Sequence, residues 1–222
     1  MLTITEEFKK TYPEAQIGVL VIKGLQNQKE NEALSGKKRE LENYIRGQFE
    51  GKDRNYINSL DTIKAYSEYY KKFKKTYHVL MQLESIAFKG KSIPEVDCLV
   101  EAMFMSEIKN QLLTAGHDLA KLDLPIEVDI AKGEEKFIAM NGKEQVCTQG
   151  DMFMYDRKGV ISSIMQGPDS RTKIDLSTTD VLYVVYAPEG VKKEAVLKHL
   201  EGIKETLSIV NKEFTVEKLE VL

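Results

Sequence analysis

Seven consecutive apolar or aromatic residues, Val181 to Ala187, stand between Asp180 and Pro188. The run is too short to cross a bilayer and reads as a strand that the Pro188-Glu189-Gly190 turn ends. It shows no polar alternation, so neither of its faces suits water, and it belongs at the centre of a sheet. A chain of 222 residues is long enough to bury such a strand inside a real core.

Around that strand the two halves of the chain differ in period. In the first half, Leu34, Leu41, Ile45 and Phe49 recur at helical spacing. So do Leu60, Ile63, Tyr66, Tyr70, Phe73 and Tyr77, and a further helix is expected from His78 to Phe88. Thr3-x-x-Glu6 reads as a capping box, and Ser92 with Pro94 and Glu95 as the start of the next helix. Within the same half, Ala15–Leu25 reads as a buried strand. After Leu122 the period becomes two: Ile126, Val128 and Ile130 alternate with polar or small neighbours. Asn141-Gly142 predicts a hairpin with a type I′ turn, and Asp156–Gly159 a second hairpin. An amphipathic helix over 191–211 and an edge strand close the chain. The expectation is an α+β fold, with a helical N-terminal half packed on a mixed, largely antiparallel sheet. It is one domain over 1–222, with 1–90 mostly helical.

With 32 Lys and Arg against 35 Asp and Glu, the net charge of −3 gives no overall nucleic-acid footprint. Cys98 and Cys147 lie far apart, which argues against a disulfide framework in so long a chain and excludes a cysteine zinc site by count. Nothing at the start resembles a signal peptide and no run could span a membrane, so a cytoplasmic location is expected, with no membrane partner. No cofactor or metal is expected. Gly-x-Ser-x-Gly, phosphate-loop, dinucleotide and His-Glu-x-x-His motifs are all absent.

Three stretches are left to carry chemistry. His117-Asp118 are sequence neighbours and badly placed for a relay, since adjacent side chains point apart. Asp118 fits better as the cap of "LAKL". His117 then sits in a glycine-flanked loop as a candidate proton carrier, its plainer reading being a hydrogen-bonded structural histidine. The loop Gln166–Asp180 offers Arg171 for a phosphate or carboxylate and Ser170, Thr172, Thr178 and Thr179 as neutral donors. Its plainer reading is a solvated turn. Lys71, Lys72, Lys74 and Lys75 form a local positive patch among tyrosines, a pointer to RNA whose plainer reading is a solvated helix face.

Taken in order, "IPEVDCLVEAMFMSEI", "AGHDLAKL", "VDIAKGEEKF", "GDMFMYDRKGVI" and "DSRTKIDLSTTDVL" resemble the B3/B4 domain. That module occurs in the β subunit of bacterial phenylalanyl-tRNA synthetase and in small stand-alone proteins. The likeness covers about residues 92–187, the family-like core. It implies an editing pocket that holds an aminoacyl group while a positioned water attacks the ester. By that likeness His117, Ser170, Arg171, Thr172 and Thr179 line the pocket, with His117 the catalytic candidate. Lys71, Lys72, Lys74 and Lys75 would meet the backbone of tRNA or aminoacyl-tRNA.

This sequence departs from the family pattern at Glu101 and Phe104 in the helix and at Asp129 before Ile130-Ala131. It departs again at Val184, where the synthetase has an acid that reads the tyrosine hydroxyl, and the family's pocket histidine falls near Ala115. The implied function is binding of aminoacyl-tRNA with hydrolysis of mischarged species in trans. The alternative is a non-catalytic binder of an amino acid or other small metabolite.

Overall fold

The apolar run at 181–187 is a strand with a hydrogen-bonded partner on each edge and a packed layer on each face. The computed structural model describes residues 2–222. Its elements begin with β1 (Leu2–Ile4), α1 (Glu6–Thr11), β2 (Gln16–Lys23), α2 (Glu32–Gln48) and α3 (Arg54–Asn58). There follow α4 (Asp61–Lys72), α5 (His78–Lys89), α6 (Cys98–Asn110), β3 (Thr114–Asp118) and β4 (Ile126–Ile130). The rest is mainly strand: β5 (Lys136–Ile138), β6 (Glu144–Val146), β7 (Met152–Asp156), β8 (Gly159–Ser163), β9 (Gly167–Pro168) and β10 (Val181–Ala187). The helix α7 (Lys193–Val210) and the strand β11 (Thr215–Val221) complete the α+β chain.

The strands form two main sheets rather than one. The first has the order β1-β4-β7-β8-β9 and the second β11-β2-β10-β3, with β5-β6 a separate hairpin. All pairings are antiparallel except β1 with β4. In β10, alternate side chains serve different layers, as the pleat requires. Tyr183 reaches the Leu99 carbonyl of α6, whereas Tyr186 meets Ser162 of the first sheet. Both faces are therefore covered, and every residue of β10 is buried. The apolar cluster around it also takes in Tyr66, Tyr70, Leu80 and Leu83 of α4 and α5. The other face of the first sheet has its own small cluster, with Phe137, Cys147, Phe153 and Val160 under the β5–β6 hairpin.

Gly18 shows how tightly the layers meet. A Cβ there would lie 2.5 Å from Val196 Cγ1 of α7, so a glycine lets that helix lie flat on β2. A buried ion pair, Lys38 to Glu101 at 3.0 Å, joins α2 to α6. Glu101, one of the departures from the family pattern, is thus engaged in holding two helices together. Asp129, another, accepts a bond from Thr5 Oγ1 at 2.5 Å and ties β4 to the start of α1.

Several local expectations need correction. Thr5, not Thr3, caps α1, because Thr3 is paired to Glu127 in the first sheet. Asp97 rather than Ser92 caps α6, accepting from Val100 N. The stripe from Leu60 to Tyr77 is not one helix: α4 ends at Lys72, and Lys74 adopts a left-handed φ of 57°. At the β5–β6 turn only Gly142 has a positive φ, so the turn is not type I′, which needs two such residues. His117 lies in strand β3, hydrogen-bonded alongside Leu182, and not in a loop.

Candidate functional site

A cavity of about 540 Å³ opens where α5, α6, the edge strand β3 and the β8–β9 segment converge. Its position follows from the topology. β3 has a strand neighbour on one side only, and along its other edge the backbone is met only at Asp118, by the Thr172 carbonyl, which leaves room for the cavity beside Thr114–Gly116. Met103, Phe104 and Glu107 come from the face of α6 turned to that edge, since three- and four-residue spacing places them together. Thr114, Ala115 and Gly116 supply the strand wall. Gly116 keeps the wall low: a Cβ there would lie 2.9 Å from Ile174 Cδ1 and 3.3 Å from Met103 Sδ.

Against these mostly apolar walls stand a few polar groups. Ser162 Oγ and Tyr186 Oη lie 2.6 Å apart, both buried at the cavity. His78 and Gln82 project from successive turns of α5. His78 Nδ1 lies 3.0 Å from Tyr70 Oη, which sits 3.4 Å from the Ile164 carbonyl. Glu107 accepts a 2.7 Å bond from Thr114 N, and burial pushes its carboxyl up to about 8. The acid is therefore mostly protonated at neutral pH, a donor as well as an acceptor. An apolar pocket with a few convergent polar groups suits a small organic moiety.

Lysines stand beside the cavity. Lys75 Nζ donates to the carbonyl of Met165, which lines it, and Lys173 is on its other rim. Lys71, Lys72 and Lys74 are exposed at the same end of α4. The tyrosines between them are not free to stack on bases, because Tyr69, Tyr70 and Tyr77 are buried in the core. Lys72 Nζ lies 4.8 Å over the ring of Tyr12.

The residues singled out around 117 and 170 form a different arrangement. His117 is fully buried, and its Nδ1 lies 2.7 Å from Thr172 Oγ1. Thr172 donates its hydroxyl proton to Asp169, so it accepts from Nδ1–H, and His117 Nε2 is left without a partner. Burial, with the nearby Arg171 charge, pushes His117 down to about 3. It stays neutral at neutral pH, and it does not line the cavity. Arg171 makes two 2.9 Å bonds to Asp156 and a third, at 3.1 Å, to the Lys121 carbonyl. Most of its donors are thus engaged inside the protein. Burial raises Asp156, but Arg171 and the N–H groups of Asp123 and Lys158 outweigh it and hold the carboxyl below its usual range.

Thr178 donates to Asp118, which caps the turn as expected by accepting from Ala120 N. Thr179 is exposed and Ser170 partly so, and neither lines the cavity. Of the 166–180 loop, only Gln166, Gly167, Pro168, Lys173 and Ile174 reach it.

His78, Gln82, Glu107 and Ser162 were not found by sequence reasoning. A carboxylate on the apolar face of α6, one turn from Met103, was the available signal for Glu107. His78 gave none, because its partner Tyr70 belongs to another helix. Of the departures from the family pattern, Phe104 and Ala115 line the cavity, whereas Val184 is buried beside Ala115 in the second sheet.

Among the described residues no group of acidic, histidine or cysteine side chains could hold a metal ion, and no helix is long and apolar enough to cross a membrane. No curated protein sequence matches the chain. Among solved structures, an N-terminal fragment of the phenylalanyl-tRNA synthetase beta-subunit from Pyrococcus horikoshii superposes with a TM-score of 0.50 at 14% identity. The match covers 100% of this chain and 50% of that one, so the chain spans about half the fragment's length, and at that identity the likeness is one of fold. The sequence model of the B3/4 domain matches residues 63–208, from α4 into α7, a range that includes every residue lining the cavity. On that match the chain belongs to the B3/4 domain family.

Proposed function

We propose that this chain, acting as one domain, binds the charged end of a tRNA and hydrolyses a wrongly attached aminoacyl ester in trans. The observation that carries this reading is the cavity of about 540 Å³ at the free edge of β3, apolar in its walls and polar at a few points. Met103, Phe104, Ala115 and Ile174 favour an aliphatic or aromatic aminoacyl side chain over a charged one. The Ser162–Tyr186 pair and protonated Glu107 offer hydrogen bonds to the amino-acid end. Lys75 and Lys173 beside the cavity, with Lys71, Lys72 and Lys74 beyond, give phosphates a place to lie. No protein nucleophile is required, because holding water against a positioned ester supplies most of what such a reaction needs.

The second reading is a non-catalytic binder of a free amino acid or similar small molecule. The departures from the family pattern favour it, since Phe104 lines the wall and Ala115 stands there where the family's pocket histidine falls. Release of amino acid from correctly and wrongly charged tRNAs tests the first reading, with tRNA affinity measured against salt. Replacing the four lysines 71, 72, 74 and 75 by glutamine should weaken tRNA binding at least tenfold near physiological salt and flatten its salt dependence. A metabolite binder would show neither turnover nor a salt-dependent tRNA affinity.

A further inference from the structure

We propose that His78 is the base that takes a proton from the attacking water, at a point where two hollows of the molecule share one wall. The inference rests on the hydrolytic function proposed above. A second hollow, of about 310 Å³, adjoins the main cavity, bordered by Ile86, Pro94 and Ile108 with Lys91 and Ser92 at its rim. His78, Gln82 and Phe104 line both spaces. An aminoacyl-tRNA is itself a two-part ligand, an amino-acid side chain and a terminal nucleoside joined by one ester. With the side chain in the larger space and the nucleoside in the smaller, the ester crosses at these three residues. Phe104 then offers a ring to the base and Lys91 a charge to the phosphate.

His78 is equipped for the task. With the Tyr70 hydroxyl donating to the Ile164 carbonyl, it accepts from His78 Nδ1–H, and the lone pair is on Nε2. The other two histidines, His117 and His199, are fully buried. Burial lowers the pKa of His78, so the ring is neutral at pH 7, as a base must be. The titratable groups around it do not reverse this. Tyr70 and Tyr77 pack against its ring, both raised by burial and uncharged, and Glu107 across the cavity is mostly protonated. Asp97, on the cavity's far wall, is occupied in capping α6.

In the reaction Nε2 takes a proton from water as the water oxygen bonds to the ester carbonyl carbon. The tetrahedral intermediate collapses by breaking the bond to the ribose oxygen, which recovers the proton from the imidazolium. Free amino acid and uncharged tRNA leave, and His78 is neutral again. Gln82, one turn further along α5, is placed to hold the ester.

The test is single-turnover deacylation of a panel of charged tRNAs by wild type, His78→Gln, His78→Ala and Tyr70→Phe, with KM measured for each. Loss of the base should slow hydrolysis about 100-fold or more while KM changes little, and Tyr70→Phe should give a smaller loss in the same direction. If wild type turns over a charged tRNA and His78→Gln stays within about threefold of its rate, His78 is not the base, though the deacylase function stands. If wild type leaves every ester intact, the hydrolytic reading falls and this base with it. His78 is the first residue of α5 and is partly exposed, so the fold does not hinge on it. Should His78→Ala nonetheless lose its circular dichroism signal, the bulkier His78→Gln decides the matter.

Discussion

Replacing Arg171 by methionine separates a structural role for this residue from a ligand-binding one. The guanidinium makes two 2.9 Å bonds to Asp156, whose side chain is completely buried, and lies 3.4 Å from Asp169. Methionine keeps much of the aliphatic stem and removes every donor. Deleting one partner of a buried pair costs about 3–5 kcal/mol, whereas an exposed pair is worth about 1 kcal/mol or less. Here the carboxylate is buried but the Arg171 side chain is 32% exposed, and Asp156 keeps the N–H groups of Asp123 and Lys158. These features place the cost between the limits, at about 2–3 kcal/mol.

The pH dependence has a definite sign. Asp156 has a folded pKa below its ordinary 3.8, so its contribution is present above pH 4 and is lost as pH falls through the folded value. The difference between the two proteins should therefore be full at pH 7 and shrink below pH 4. Urea unfolding at pH 7 and pH 3 reads both quantities. A loss under about 0.5 kcal/mol at pH 7, or a gap that does not narrow in acid, would refute the reasoning. Because Arg171 does not line the cavity, binding of a cavity ligand should survive in the folded variant.

Other perturbations follow from the same physics. The folded chain holds a proton on Glu107 up to about pH 8, while the unfolded chain releases it near 4.5, so stability declines between those values. Glu107→Gln should match wild type near pH 4.5 and exceed it by on the order of a few kcal/mol at pH 8, and parallel curves would count against the buried acid. Gly18→Ala should cost about 1–3 kcal/mol, because the new methyl meets Val196 at 2.5 Å in a closed helix–sheet contact; an unchanged urea midpoint would mean that α7 can shift.

Much of the fold could be read along the chain, because hydrophobic period is a local property. The apolar β10, the alternating β4, the hairpins and the stripe of α7 all came from spacing alone, and the order of motifs carried the family. Asp118 as a cap was legible too, since a cap acts on the next few residues. The site was not. His78 meets Tyr70 only because α4 ends at Lys72 and the chain turns back, and Glu107 is protonated only because packing of α6 buries it, which outweighs the opposing pull of the Thr114 N–H. Arg171 reads in sequence as an anion binder, yet Asp156 and Asp169 claim its donors through contacts that no local pattern predicts. His117 reads in sequence as a residue of a glycine-flanked loop, whereas its pairing with β10 makes it a buried strand residue. Spacing along the chain determines which faces are apolar. Which polar groups meet across those faces, and with what charge, is decided only when separate elements pack and exclude water.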